Sequence, residues 1–94
     1  MKNRVSKRRP VELRQIDPSR RRARMYHLAE SMSLFGERGL VVAWGRIGRA
    51  PRIRFEPFAS EASLEARWQE LLGRRLAHGY KLVHVKTRRI HRAA

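Results

Sequence analysis

The residues best suited to chemistry lie together near the middle of the chain, in Ala43-Trp44-Gly45-Arg46-Ile47-Gly48-Arg49. Arg52 and Arg54 follow closely, and no acid falls among them. A flat ring beside a row of cations is what stacking on a nucleotide while neutralising its phosphate requires. Leu40-Val41-Val42-Ala43 leads in and Arg52-Ile53-Arg54-Phe55-Glu56 leads away, two β-rich runs around glycines free to take positive φ. The stretch therefore reads as a hairpin with Trp44, Gly45 and Arg46 at its tip. A core tryptophan at a strand end, with solvated arginines around it, is the other reading, and the residues alone leave both open.

A second cationic cluster, Arg20, Arg21, Arg22 and Arg24, follows the turn Asp17-Pro18-Ser19. Four cations this close repel one another, so the cluster is either a second anion contact or a solvated loop. Nothing comparable points to catalysis. The eight carboxylates form no pair spaced for a metal or an acid/base dyad, and the four histidines share no ligand spacing. Gly45-x-x-Gly48 is too short and wrongly flanked for a Walker or Rossmann loop. The chain has no cysteine, which removes disulfides, thiolate catalysis and cysteine-ligated zinc. No enzyme activity, cofactor, metal or small-molecule substrate is expected.

Charge is the dominant global signal: 23 Lys+Arg stand against 8 Asp+Glu, a net +15. Residues 1–10 carry five cations and residues 86–94 four, with no acid in either stretch, yet the body between them keeps +6. The expected partner is a polyanion, most simply nucleic acid. Arginine outnumbers lysine nineteen to four, which suits bidentate phosphate contacts and stacking on bases, although a G·C-rich genome yields the same ratio. No apolar run approaches a membrane span, and the basic N-terminus lacks the hydrophobic stretch of a secretory signal. A cytoplasmic monomer, possible nucleoid association included, is the expectation, with no membrane partner.

Ninety-four residues are enough for one domain. Residues 1–10 read as a flexible basic arm, 11–86 as the folded domain, and 87–94 as a basic tail; Lys86 and Arg88 extend the candidate phosphate contacts. Val11–Ile16 alternates as a strand with Val11, Leu13 and Gln15 on one face. Arg24–Ser31 is a second strand, with Tyr26 and Leu28 opposite Met25, His27 and Ala29. The connection that follows holds Leu34-Phe35, and Phe35 is expected in the core. Gly39–Ala43 is a third strand. Pro51 delays the fourth to Arg52 or Ile53, where Ile53 and Phe55 are expected to face inward and Arg52, Arg54 and Glu56 outward. Ser60 is a candidate N-cap with Glu61 in the first turn. Leu64, Trp68, Leu71 and Leu72 then form one helical stripe, and Gly79 suits the C′ position. Tyr80–Val85 closes the chain as a last strand. The sum is an α+β fold, an antiparallel sheet of about five strands with one amphipathic helix on one face.

In this order and spacing, Tyr26-His27-Leu28, Ser33-Leu34-Phe35-Gly36, Trp44-Gly45-Arg46-Ile47-Gly48, Phe58-Ala59-Ser60 and Gly79-Tyr80 closely resemble the WGR domain. The resemblance spans about residues 11–85. WGR domains occur in eukaryotic poly(ADP-ribose) polymerases and in many bacterial proteins, some of them small stand-alone ones. It implies a helix packed on an antiparallel sheet and, by analogy with the polymerases, DNA binding near a break. By position, Trp44 would pack on the sugar at a strand end and Arg46 would face phosphate or couple to a neighbouring domain. With no neighbouring domain here, phosphate contact gains weight. Ala50-Pro51 stands where many members carry another glycine, which stiffens the turn. The polymerase catalytic domain has no counterpart, so ADP-ribosyl transfer does not carry over.

The expectation is thus a non-catalytic nucleic-acid-binding module, for DNA in preference to RNA, directed to strand ends, nicks or single strands with little sequence preference. Its contacts would be Trp44, Gly45, Arg46, Arg49, Arg52, Arg54, Arg20, Arg21, Arg22, Lys86 and Arg88. The alternative is a protein-interaction domain whose cations dock on an acidic partner in DNA repair, replication or transfer.

Overall fold

A computed structural model describes residues 8–83 of the chain. Residues 1–7 of the expected arm, the last two residues of the expected closing strand, and Lys86, Arg88 and the tail lie outside the described residues, whereas Arg8, expected in the arm, is held by the fold. Strands β1 (Val11–Asp17), β2 (Arg22–Met32), β3 (Arg38–Arg46) and β4 (Arg52–Pro57) are followed by helix α1 (Glu61–Ala77) and the short β5 (Lys81–Val83). The sheet order is β4-β3-β2-β1-β5 and every pairing is antiparallel. Three successive hairpins build β1 to β4, and α1 then carries the chain from the β4 edge back to β5 at the other. This is the α+β architecture expected.

Strand pairing decides which residues the helix covers. Leu13 stands opposite Tyr26, and Tyr26 opposite Trp44, so these share a face with Leu28, Leu40 and Val42. Leu64, Trp68 and Leu71 of the helical stripe press onto that face, and Tyr80 completes the core. Trp68 is 5 % exposed and Leu64 fully buried, as their spacing predicts. Each such side chain contributes about 1.5–3 kcal/mol by leaving water. Ser60 caps the helix, its hydroxyl accepting from the Ser63 amide at 3.1 Å. Gly79 ends it with φ +90°, a conformation that disfavours a side chain.

Two expected burials are overturned. Ile53 and Phe55 stand opposite Ala43 and Val41, which places them on the face the helix does not cover. Ile53 is 67 % exposed, while Arg52, Arg54 and Glu56 share the helix-side face through their pairing with Trp44, Val42 and Leu40. Alternation divides a strand into two faces without saying which one meets the helix. Phe55 instead shields Gly39, where an added Cβ would stand 2.7 Å from its ring. Phe35 is the second correction. It is 89 % exposed and Leu34 98 %, because the β2–β3 turn projects beyond the sheet rather than folding over its edge.

Arg8 belongs to the fold. Its guanidinium bonds Glu30 of β2 at 2.9 Å and Glu65 of α1 at 2.6 Å, also contacts Glu61, and lies 6.0 Å from the centroid of the Trp68 ring. Arg38 joins the same group through Glu61 at 2.6 Å. The carboxylates of the first helical turns are thereby tied to the far end of β2.

Candidate nucleic-acid interface

Trp44 is not at a loop apex. Strand β3 continues through Arg46, and the turn is formed by the residues after it, the Arg49 amide bonding the Arg46 carbonyl at 3.1 Å. Gly48 takes the third position of that turn with φ +91°, as a type II turn demands. The Ile47 amide also bonds the Ala23 carbonyl at 2.8 Å, which extends the β2–β3 ladder up to the turn. The ladder holds the Trp44 side chain on the helix-side face, half-buried and packed against the edge of the core. The Arg54 guanidinium lies 5.2 Å from its ring centroid.

Beside Trp44 opens a cleft of about 310 Å³ lined by Arg24, Tyr26, Trp44, Gly45, Arg46, Arg75 and Tyr80. Tyr26 and Tyr80 meet edge to face, ring centroids 6.4 Å apart, and form its apolar floor. Arg75, from the last turn of α1, lies over both, 4.5 Å from the Tyr26 centroid and 5.8 Å from that of Tyr80. Its buried Nε–H has no hydrogen-bond partner among the described residues. Arg24 and Arg46 are directly cross-strand, a like-charge pairing that destabilises a sheet unless an anion lies between.

The two sequence clusters meet at this end of the sheet. Arg46 donates to the Arg21 carbonyl at 3.3 Å, which joins the β1–β2 connection to the end of β3. Arg21 itself adopts φ +54°, a left-handed conformation rarely taken by a long side chain. Arg20 stands 3.7 Å from Asp17 in an exposed ion pair, and Asp17 also accepts from the Ser19 hydroxyl, which holds its carboxyl below the usual range. Arg49 and Arg52 project from the turn and the start of β4. Among the described residues, Arg21, Arg22, Arg24, Arg46, Arg49, Arg52 and Arg75 form no ion pair with a carboxylate.

Arg54 differs from the rest of the candidate set, since Glu56 engages it at 2.8 Å and it stacks on Trp44. Arg67 binds the same Glu56 at 2.9 Å, and that hydrogen bond is the chief reason the Glu56 carboxyl lies below the usual carboxylate range. Sequence alternation puts Tyr26 on the strand face it shares with Leu28, and Arg75 falls in the last turn of the helix. Their meeting with Tyr80, from beyond the helix, had no local signal. The Gly-Tyr after the helix and the Arg-rich last turn were the only hints.

Three of the eight carboxylates, Glu30, Glu61 and Glu65, gather at the opposite end. They surround Arg8 and Arg38, whereas Asp17 is the acid nearest the cleft along the β1–β2 hairpin. An anion approaching the cleft therefore meets cations that have no carboxylate partner.

The WGR domain family's profile matches residues 9–87, which takes in all five strands and the helix. The chain is also similar to an uncharacterized protein, y4dW, of Sinorhizobium fredii (strain NBRC 101917 / NGR234). They are 33 % identical over 66 residues, 70 % of this chain and 32 % of the relative, so the chain spans about a third of that protein's length. No solved structure matches. Within the described residues no helix is long and apolar enough to cross a membrane. The landmarks around Trp44, the helix-covered sheet and the profile match agree: the chain belongs to the WGR domain family, a non-catalytic module associated with nucleic-acid binding in poly(ADP-ribose) polymerase-like proteins.

Proposed function

We propose that the cleft between Trp44 and Arg75 binds one nucleotide of a DNA strand at an end, a nick or a single-stranded stretch. The observation that carries this reading is the joining of an accessible indole to Arg24, Arg46 and Arg75, none of them paired with a carboxylate among the described residues. A volume of about 310 Å³ suits a single nucleotide, near the floor of the roughly 300–1,000 Å³ typical of small-ligand pockets. A continuous duplex offers no nucleotide free to enter it. Trp44 packs on the sugar or base, Arg24 and Arg46 share the phosphate that relieves their mutual repulsion, and the Arg75 guanidinium adds its charge from the cleft wall. Arg20, Arg21, Arg22, Arg49 and Arg52 extend the cationic surface to neighbouring phosphates.

The test is fluorescence anisotropy with labelled oligonucleotides: a blunt duplex, a nicked duplex, a single strand and the matching RNA, each titrated across salt concentrations. About five phosphate contacts give a slope of log K against log[salt] near −4 to −5 on duplex ends and near −3.5 on single strands. Trp44→Ala is expected to weaken binding by about 1–3 kcal/mol, the value of one aromatic stack. Equal affinity of wild type and Trp44→Ala for every nucleic acid would refute the stacking role. Displacement by an acidic protein at concentrations where DNA fails to compete would favour a protein partner for the same cations.

A further inference from the structure

At the end of the sheet away from the cleft, the β2–β3 turn is built around Ser33. Its amide bonds the Glu37 carbonyl at 2.8 Å, its carbonyl accepts from Gly36 at 3.0 Å, and its hydroxyl accepts from the Phe35 and Glu37 amides at 3.1 and 3.2 Å. This ordered turn holds Leu34 and Phe35 out in water, 98 % and 89 % exposed, beside Met32 at 65 %. Adjacent large apolar side chains on a hydrogen-bonded turn mark a contact surface. Directly beside them lies a cleft of about 560 Å³, framed on one side by Glu37 and the Arg38–Glu61 ion pair and on the other by Pro57, Phe58 and Ala59.

We propose that the Leu34–Phe35 knob of one copy seats in the Pro57–Ala59 cleft of a second copy, and reciprocally, to form a weak two-fold dimer. A two-fold contact needs a surface complementary to itself, and a knob adjoining its own socket is such a surface. Electrostatics selects this end for a chain of net charge +15. Glu30, Glu61 and Glu65 gather here around Arg8 and Arg38, so among the described residues this is the end where two copies meet with the least repulsion. One buried aromatic covers about 150–250 Å². Two knobs with their socket walls come to the order of 1,000 Å², the lower bound of specific interfaces and the range of transient ones. The monomer expected from composition is then the dilute form of the protein, and the two nucleotide clefts of the dimer point away from each other.

Sedimentation equilibrium of the nucleic-acid-free protein at about 0.3 M salt, from about 10 µM to 1 mM, tests this. The expected result is a mass that rises toward twice 11.1 kDa with a dissociation constant on the order of 100 µM. Leu34→Ser/Phe35→Ser and, from the socket side, Ala59→Arg are each expected to weaken association at least tenfold while the thermal midpoint stays within a degree or two. A wild type still monomeric at 1 mM overturns the proposal. So does a dimer that survives both variants, or one abolished only by Ile53→Ser on the uncovered sheet face. DNA affinity of the isolated protomer enters none of these outcomes, so the cleft assignment and the dimer stand or fall separately.

Discussion

Replacing Arg75 by methionine separates a binding residue from a structural clamp. The substitution keeps an unbranched stem over Tyr26 and Tyr80 but removes the guanidinium, which lies 4.5 and 5.8 Å from their centroids. Two partly exposed cation–π contacts are worth about 1–2 kcal/mol together. Against this, the variant no longer buries an Nε–H without a partner, a penalty of about 1–3 kcal/mol. The two terms nearly cancel, so urea unfolding is expected to find stability within about 1 kcal/mol of wild type. Binding has no such compensation. One lost phosphate contact lowers the salt slope by about 0.9 and the affinity by about eightfold at 0.1 M salt. The assay pairs urea melts with anisotropy titrations of a nicked duplex at four salt concentrations. A loss of 2 kcal/mol or more in stability, with affinity and slope unchanged, would refute the reasoning and make Arg75 a clamp on the tyrosines.

Gly39→Ala is expected to destabilise the fold by about 1–3 kcal/mol or more, since the new Cβ would meet the Glu56 carbonyl and stand 2.7 Å from the Phe55 ring. Phe55→Ala should not rescue it, because the closer obstacle is backbone, and thermal melts of the single and double variants check this. Glu56, Glu61 and Glu65 are held below the usual carboxylate range, Glu56 mainly by Arg67, Glu61 mainly by Arg8, and Glu65 by Gln69 and Arg8. A depressed folded pKa contributes stability that is present above the unfolded value, about 4.3, and is lost as pH falls through the folded values. The melting temperature is therefore expected to be flat from pH 7 to about 5 and to drop below about 4. The drop should be shallower in Glu56→Gln, and a melting temperature that rises on acidification would contradict these ion pairs.

Much of the fold was legible because its signals are local. The Ser60 cap, the Leu64–Trp68–Leu71 stripe and Gly79 each depend on residues within a turn of one another. The misread elements depend on partners distant in sequence. The orientation of β4 follows from Trp44 standing opposite Arg52, which commits Arg54 to the helix side and leaves Ile53 bare. Phe35 was assigned to the interior for being aromatic, yet a tight turn around Ser33 offers it nothing to cover. The site was half legible. Trp44 and Arg46 stand out by type, but their cleft needs Tyr26, Arg75 and Tyr80, contributed by β2, the helix end and the residue beyond it.

The division of charge between the two ends of the sheet has a mechanical consequence. A body with Glu30, Glu61 and Glu65 around Arg8, and with Arg24, Arg46 and Arg75 free of carboxylate partners at the far side, has among its described residues an electric moment along the sheet. In the field of a polyanion such a body feels a torque before it feels a contact. If the cleft takes a nucleotide as proposed, this torque turns the indole toward it and fewer encounters are spent on the wrong face. Added salt shortens the distance over which that turning acts, to about 10 Å at 0.1 M, so the steering of capture weakens as salt rises.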